Sequence, residues 1–169
     1  EKNLANPPAA INGGHVVTTP DIRWQRRDIK SVALLAQVLA KQVAAEANCQ
    51  EAWMVEDGFV TEGSSSSAFI ITQAGNIIAR PLTNEILPGI TRKSVLALAE
   101  EQNLGVEERR FTVQEAYGAA EAFITSASSL VMPVVKIDEY QIADGKPGPM
   151  TKRLRELYLD MAKTAEPKV

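Results

Sequence analysis

Three short stretches of the chain carry residue types that could do chemistry. In Asp28-Ile29-Lys30-Ser31, a lysine follows a strand-like apolar residue and stands at the mouth of a helical pattern. An amine buried at such a junction loses proton affinity and becomes a nucleophile toward carbonyl carbon. The plainer reading is a solvated loop lysine, just as Lys41, Lys93, Lys152 and Lys163 read as ordinary charges on helical surfaces. In the stretch Thr61-Glu62-Gly63 followed by Ser64 to Ser67, a carboxylate precedes glycine and a row of hydroxyls. Glu62 can then face inward while small residues let the backbone approach a ligand. A serine-rich surface loop gives the same string. In Leu87-Pro88-Gly89-Ile90-Thr91-Arg92, a Pro-Gly turn opens a helix. Free N–H groups at a helix start form an anion site, to which Thr91 adds a hydroxyl, although an N-cap threonine without a ligand fits as well. Thr125 to Ser129, after the apolar pair Phe123-Ile124, is a second cluster of hydroxyls and amides or simply a turn.

Other reactive types are scarce. The single histidine, His15, has no cysteine or histidine partner for a metal, so no metal site is expected. The single cysteine, Cys49, reads as a noncatalytic residue in a helix-to-strand turn. It excludes an intrachain disulfide and fits a reducing, cytoplasmic compartment. Trp24 and Trp53 read as core or interface aromatics.

The elements that must position these residues follow from periodicity and turn signals. Residues 15–24 read as a bent or edge strand because Pro20 interrupts a β-branched run. Ser31 reads as an N-cap, and Val32, Leu35, Val38, Leu39, Val43 and Ala47 recur at helical spacing as far as Asn48. Glu51 to Glu56 is a strand, turned by Asp57-Gly58 into Phe59-Val60. A second hairpin joins residues 68–72 to 76–80 around Ala74-Gly75. A helix from Thr91 to Leu104 and a strand from Val106 to Arg110 come next. Thr112 and Glu115 then stand at capping-box spacing. Residues 123–126 and 131–137 are strands, and Met150 to Ala165 is the closing helix after the Gly145–Pro149 break. Strands and helices mix without strict alternation, so the fold class expected is mixed α and β with much antiparallel pairing.

The 169 residues suit one domain, with 45% apolar and 23% charged residues. Eighteen basic against twenty-one acidic side chains give a net charge of -3, without the basic stripe of a nucleic-acid or membrane-surface binder. No apolar run approaches the roughly 20 residues of a membrane span.

A lysine amine, a buried carboxylate and an anion site are the parts needed to hold pyridoxal 5'-phosphate, a cofactor with an aldehyde, a basic ring nitrogen and a phosphate. Taken in order, DIKS, DGFVTEGSSS, LPGITR, FITSAS, MPVV and DGKPGPMT resemble the fold-type IV (class IV) aminotransferases, from about Arg23 to about Tyr158. The IRWQRRDIKS lead-in is most similar to the D-amino-acid transaminase branch. The resemblance implies a large C-terminal domain shaped as a pseudo-barrel of mostly antiparallel strands with surrounding helices. It implies Lys30 as the Schiff-base and proton-shuttling lysine, and Glu62 as the partner of the pyridine nitrogen. It implies Ile90 and Thr91 at the phosphate, Ser126 and Ala127 in a second phosphate-binding turn, and Leu87 against the ring. Ala127 departs from the branch, where a hydroxyl residue stands, so a contact there must come from its backbone.

The substrates implied are an amino acid, D favoured, and a 2-oxo acid. Branched-chain L-transamination, aminodeoxychorismate lyase chemistry or an inactive cofactor-binding fragment are the alternatives. Family members also carry a smaller N-terminal domain, which contributes a phosphate-binding arginine and much of the substrate pocket, and they form homodimers. Residues 1–14 read as the interdomain linker and 15–169 as the large domain. The small domain is expected to be absent from this chain, supplied as a separate chain if the protein is split. Little or no transamination is then expected from residues 1–169 alone.

Overall fold

A computed structural model describes residues 7–164, and among these described residues there are five helices and nine strands. After α1 (Pro8–Asn12) come β1 (Gly14–Pro20), α2 (Leu35–Glu46), β2 (Glu51–Glu56), β3 (Phe59–Gly63), β4 (Ser67–Ile71) and β5 (Ile77–Ala79). The second half holds α3 (Ile90–Glu101), β6 (Val106–Glu108), α4 (Val113–Tyr117), β7 (Glu121–Ser126), β8 (Leu130–Ile137), β9 (Tyr140–Gln141) and α5 (Pro149–Thr164). All strands join one sheet in the order β3-β2-β1-β8-β7-β4-β5-β6, with β9 paired to β8. The pairs β1–β2, β1–β8 and β5–β6 are parallel and the other five antiparallel. The sheet curls until its two ends approach: Val60 N–H of β3 donates to Phe111 O just beyond β6, at 3.1 Å. That near-closure is the expected pseudo-barrel.

Burial on both faces explains why the central strands lack alternation. One face encloses Trp53, Val60, Ile70, Ile78, Phe111, Ile124 and Ile137. The other packs Phe69, Ile71, Ile77 and Phe123 beneath Val95 and Ala99 of α3 and Leu154 of α5. The Phe69 and Phe123 rings stack at 4.6 Å across the β4–β7 pair. The β2–β3 turn is set by Asp57 and Gly58, at φ 52° and 79°, the left-handed pair that a two-residue hairpin needs.

Several expected boundaries move, each for a local reason. The first strand ends at Pro20, after which the Asp21 carboxylate is drawn to Arg23. Helix α2 starts at Leu35, not at Val32; the Ser31 hydroxyl reaches only Ala33 N–H, at 3.3 Å, and Leu34 provides no side-chain cap. Its face is also reversed. Ala40 and Ala44 sit on Ala52 and Met54 of β2, whereas Leu35, Val38 and Leu39 lie outward, 72%, 59% and 48% exposed. Trp53 is buried as expected, but Trp24 is exposed. Thr112 does cap α4, accepting from Glu115 N–H at 3.1 Å, while the Glu115 carboxylate leaves the box for Arg109. Within the stretch 1–14, α1 occupies Pro8–Asn12 and β1 begins at Gly14; residues 1–6 lie outside those described, as does Ala165 at the expected end of the closing helix. Among the described residues no helix is long and apolar enough to cross a membrane.

Candidate active site

Glu62 lies at the inner end of β3, 5% exposed, so its carboxylate must find partners within the protein. Arg23, also buried, makes a short charged contact with Oε1 through Nη1. The backbone N–H of Leu87 donates to both oxygens, at 3.1 and 3.3 Å. Oε1 thus takes the guanidinium, and Oε2 keeps acceptor capacity. Burial pushes the Glu62 carboxyl above the usual range, and Arg23 only partly offsets this. The reason is that Arg23 is shared. Its other edge is clamped by Asp21, with Nε and Nη2 at 2.9 and 2.7 Å. Burial opposes the Arg23 charge, but its two carboxylates more than compensate and raise its proton affinity. Burial opposes the Asp21 charge too, but the bonds from Arg23 and Thr61 outweigh it and hold that carboxyl below its usual range.

The same strap holds the lysine segment. Arg27 is buried, bonded at 2.9 and 2.8 Å to Glu56 of β2, and its N–H donates to Asn84 O at 2.9 Å. Residues 21–27 are therefore pinned between β2, β3 and the loop before α3. Lys30 follows three residues later in an irregular stretch. It is exposed, contrary to the burial its junction suggested, and among the described residues its side chain has no hydrogen-bond or ion-pair partner.

Helix α3 starts at Ile90, and its N-cap residue Gly89 supplies no side-chain bond to the first-turn N–H groups. Ile90 is 75% exposed and Thr91 is 2% exposed, with a hydroxyl that has no partner. A buried orphan hydroxyl beside free helix amides is the signature of a group waiting for an acceptor. The helix start abuts β4, since a Cβ on Gly89 would meet Ser67 Oγ at 3.1 Å. Ser67 pairs in register with Thr125 of β7, which leads directly into Ser126 and Ala127. In the second hydroxyl cluster the serines bond one another, Ser126 Oγ accepting from Ser129 N–H at 3.0 Å and lying 2.6 Å from Ser129 Oγ, whereas the buried Thr125 hydroxyl has no partner. Ala127 is exposed and offers only its backbone.

Glu62, Leu87, Ile90, Thr91, Ser126 and Ala127 thus share one end of the curled sheet, and the strap carrying Lys30 is anchored there by Arg23. Asp21, Arg23 and Arg27 went unnoticed in the sequence. Their signal was present as a charge-dense run ahead of DIKS, but such runs are usually solvated. A shallow hollow of about 380 Å³ lined by Pro81, Thr83, Asn84, Glu85 and Arg110 contains none of these site residues.

A buried carboxylate and a helix start without a side-chain cap at one end of the sheet are groups that suit a basic nitrogen and an anion. The amino-acid sequence matches the amino-transferase class IV family over residues 2–137, and the chain belongs to that family. It is 47% identical over 145 residues to a D-alanine aminotransferase of Bacillus licheniformis, covering 85% of this chain and 50% of that protein. It is 46% identical over 145 residues to a D-alanine aminotransferase of Staphylococcus aureus (strain N315), with 86% and 51% covered. Among solved structures, the branched-chain amino acid aminotransferase of Thermobaculum terrenum, in its PLP form, superposes with a TM-score of 0.82 at 32% identity, covering 88% of this chain and 50% of that one. A second branched-chain amino acid aminotransferase, complexed with N-(5'-phosphopyridoxyl)-L-glutamate, gives 0.85 at 32% identity, covering 95% and 55%. The chain spans about half the length of the relatives it matches.

Proposed function

We propose that this chain is the cofactor-carrying part of a pyridoxal-phosphate-dependent transaminase that moves an amino group between a D-amino acid and a 2-oxo acid. The observation that carries the reading is Glu62, a buried carboxylate with raised proton affinity and one oxygen only lightly bonded. The groups present fit the cofactor. Glu62 offers its proton-accepting oxygen to a ring nitrogen, and the free start of α3 with the orphan Thr91 hydroxyl suits a phosphate.

When bound, pyridoxal phosphate supplies an electron sink for a carbon that loses its proton. The chain's own residues then have separate tasks. Ile90 and Thr91 at the helix start, together with Ser126 and the Ala127 backbone, would hold the phosphate. The Leu87 side chain packs against the ring, and its N–H keeps Glu62 aimed. Glu62, steadied by Arg23, holds the proton at the ring nitrogen. Lys30 Nζ would hold the cofactor's aldehyde carbon and would take and return the proton at the substrate Cα. Fixing the phosphate and the ring defines which face Nζ can reach.

The D preference is supported by the D-alanine aminotransferases at 42–47% identity. Branched-chain L-transamination is favoured by one observation, the superposition on branched-chain enzymes. Half-reactions of the full-length protein with D- and L-alanine, D- and L-glutamate and L-leucine separate the two. Turnover of the D-amino acids supports the proposal, and turnover of L-leucine alone overturns its substrate assignment.

The exposed apolar set Ile22, Trp24, Ile29, Val32, Leu35, Val38 and Leu39 borders the lysine strap and α2. A patch of this kind suits an interface. It supports both a homodimer and docking of the smaller N-terminal domain that the family resemblance implies. The single cysteine and the absence of a spanning helix among the described residues support a cytoplasmic setting.

A further inference from the structure

The serine row has a use other than ligand approach. Glu51, the first residue of β2, is 2% exposed, and its carboxylate lies under the turn that joins β3 to β4. Oε1 accepts from the Ser64 hydroxyl, from Ala52 N–H at 2.9 Å and from Lys41 Nζ at 3.3 Å. Oε2 accepts from the Ser65 hydroxyl at 2.9 Å, the Ser66 hydroxyl at 3.0 Å and Ser65 N–H at 3.3 Å. Three consecutive hydroxyls therefore spend their protons on one buried anion. The turn is tight as well: a Cβ on Gly63 would stand 2.1 Å from Ser66 Oγ and 3.1 Å from Glu51 Cγ, so only glycine fits. Gly63 directly follows Glu62, and Ser67, which touches the α3 start, directly follows Ser66.

We propose that Glu51 is a positioning residue for Glu62, gathering the Ser64–Ser66 hydroxyls so that the turn between the ring-facing carboxylate and the phosphate-facing strand holds one geometry. This rests on the reading of Glu62 as the partner of a pyridine nitrogen. A carboxylate suits the task because it only accepts: all three hydroxyls must point their protons toward it, and none can turn to donate to Glu62 and compete for the ring. The two glutamates are also set apart electrostatically. Burial would raise the proton affinity of Glu51, but the bonds from Ser64, Ala52 and Ser65 and the charge of Lys41 prevail and keep it ionised. Lys41 projects from α2, the helix after the Lys30 strap, so the anion ties that helix to the Glu62 turn.

The test compares full-length wild type, Glu51→Gln and the double variant Ser64→Ala/Ser66→Ala, each freed of cofactor and titrated with pyridoxal phosphate. The double variant keeps the carboxylate and its backbone donors, and carries the test if Glu51→Gln does not fold. The readouts are the dissociation constant, the pH midpoint of the bound cofactor's visible absorbance and the melting temperature without cofactor. The expected result is binding weakened roughly tenfold or more. The absorbance midpoint is expected to move by about half a pH unit or more, because the proton at the ring nitrogen depends on where Glu62 sits. A fall in melting temperature with the absorbance midpoint unchanged makes Glu51 structural only and overturns the proposal. Wild type that binds no pyridoxal phosphate overturns instead the reading of the site on which the proposal rests.

Discussion

Burial of Glu62 beside a guanidinium that it must share with Asp21 has a consequence for the cofactor-free protein. A carboxyl whose folded proton affinity is raised contributes stability below its unfolded pKa, near the ordinary value of 4.5, and loses it as pH rises through the folded pKa. Glu62→Gln removes that loss. The melting temperature of the variant without cofactor is therefore expected to gain on wild type as pH is raised from about 4 to about 7, with the two converging at the acid end. A difference that does not change with pH contradicts this. Arg23→Gln acts in the opposite sense, because it strands a buried carboxylate; urea unfolding at neutral pH is expected to show a loss of about 3–5 kcal/mol. The chemistry-bearing types were visible in the sequence, since Lys30, Glu62 and Thr91 stand at junctions that composition and spacing pick out. Their supports were not. Arg23 and Glu51 look like surface charges until the chain folds, because Glu62 lies 39 residues from Arg23 and the serine hydroxyls lie 13 to 15 residues from Glu51.

At the scale of elements, local turn chemistry was legible and facing was not. The Asp57-Gly58 hairpin and the Thr112 cap depend on a few adjacent residues, and both formed as spacing predicts. The side of α2 that meets the sheet is instead its small one, Ala40 and Ala44, and its larger apolar residues lie outside. The start of α5 was legible from the Gly145–Pro149 break, within one residue of where it falls, but its cap was not. Its first N–H groups, at Met150 and Thr151, are capped by the Glu121 carboxylate at 3.0 and 2.8 Å, from a strand 29 residues earlier. That cap needs Gly148, where a Cβ would fall 2.0 Å from Glu121 Cδ. Gly148→Ala is expected to cost about 1–3 kcal/mol in thermal or denaturant unfolding through this overlap. An unchanged melting temperature would show that the cap can shift freely.

The described residues form a sheet curled on its own core, with the proposed site residues gathered at one end and an apolar flank beside the lysine strap. The mixed α and β class followed from pattern, whereas the near-closure of the sheet through Val60 and Phe111 depends on long-range pairing that no local signal carries. The exposed flank formed by Val38, Leu39 and their neighbours gives the interface proposal its test. In the full-length protein, Val38→Glu with Leu39→Glu is expected to lower the association state seen by sedimentation; an unchanged state would free this flank of an interface role. Because the chain covers half the length of its relatives, residues 1–169 alone are expected to turn over amino acids weakly or not at all, and strong activity from them would sink that expectation. The most direct measurement of the central claim is borohydride reduction of the full-length protein with pyridoxal phosphate, followed by peptide mapping. The expected result is a cofactor-mass increment on Lys30, absent in Lys30→Ala; an increment confined to another lysine, or spread evenly over the surface lysines, would contradict it.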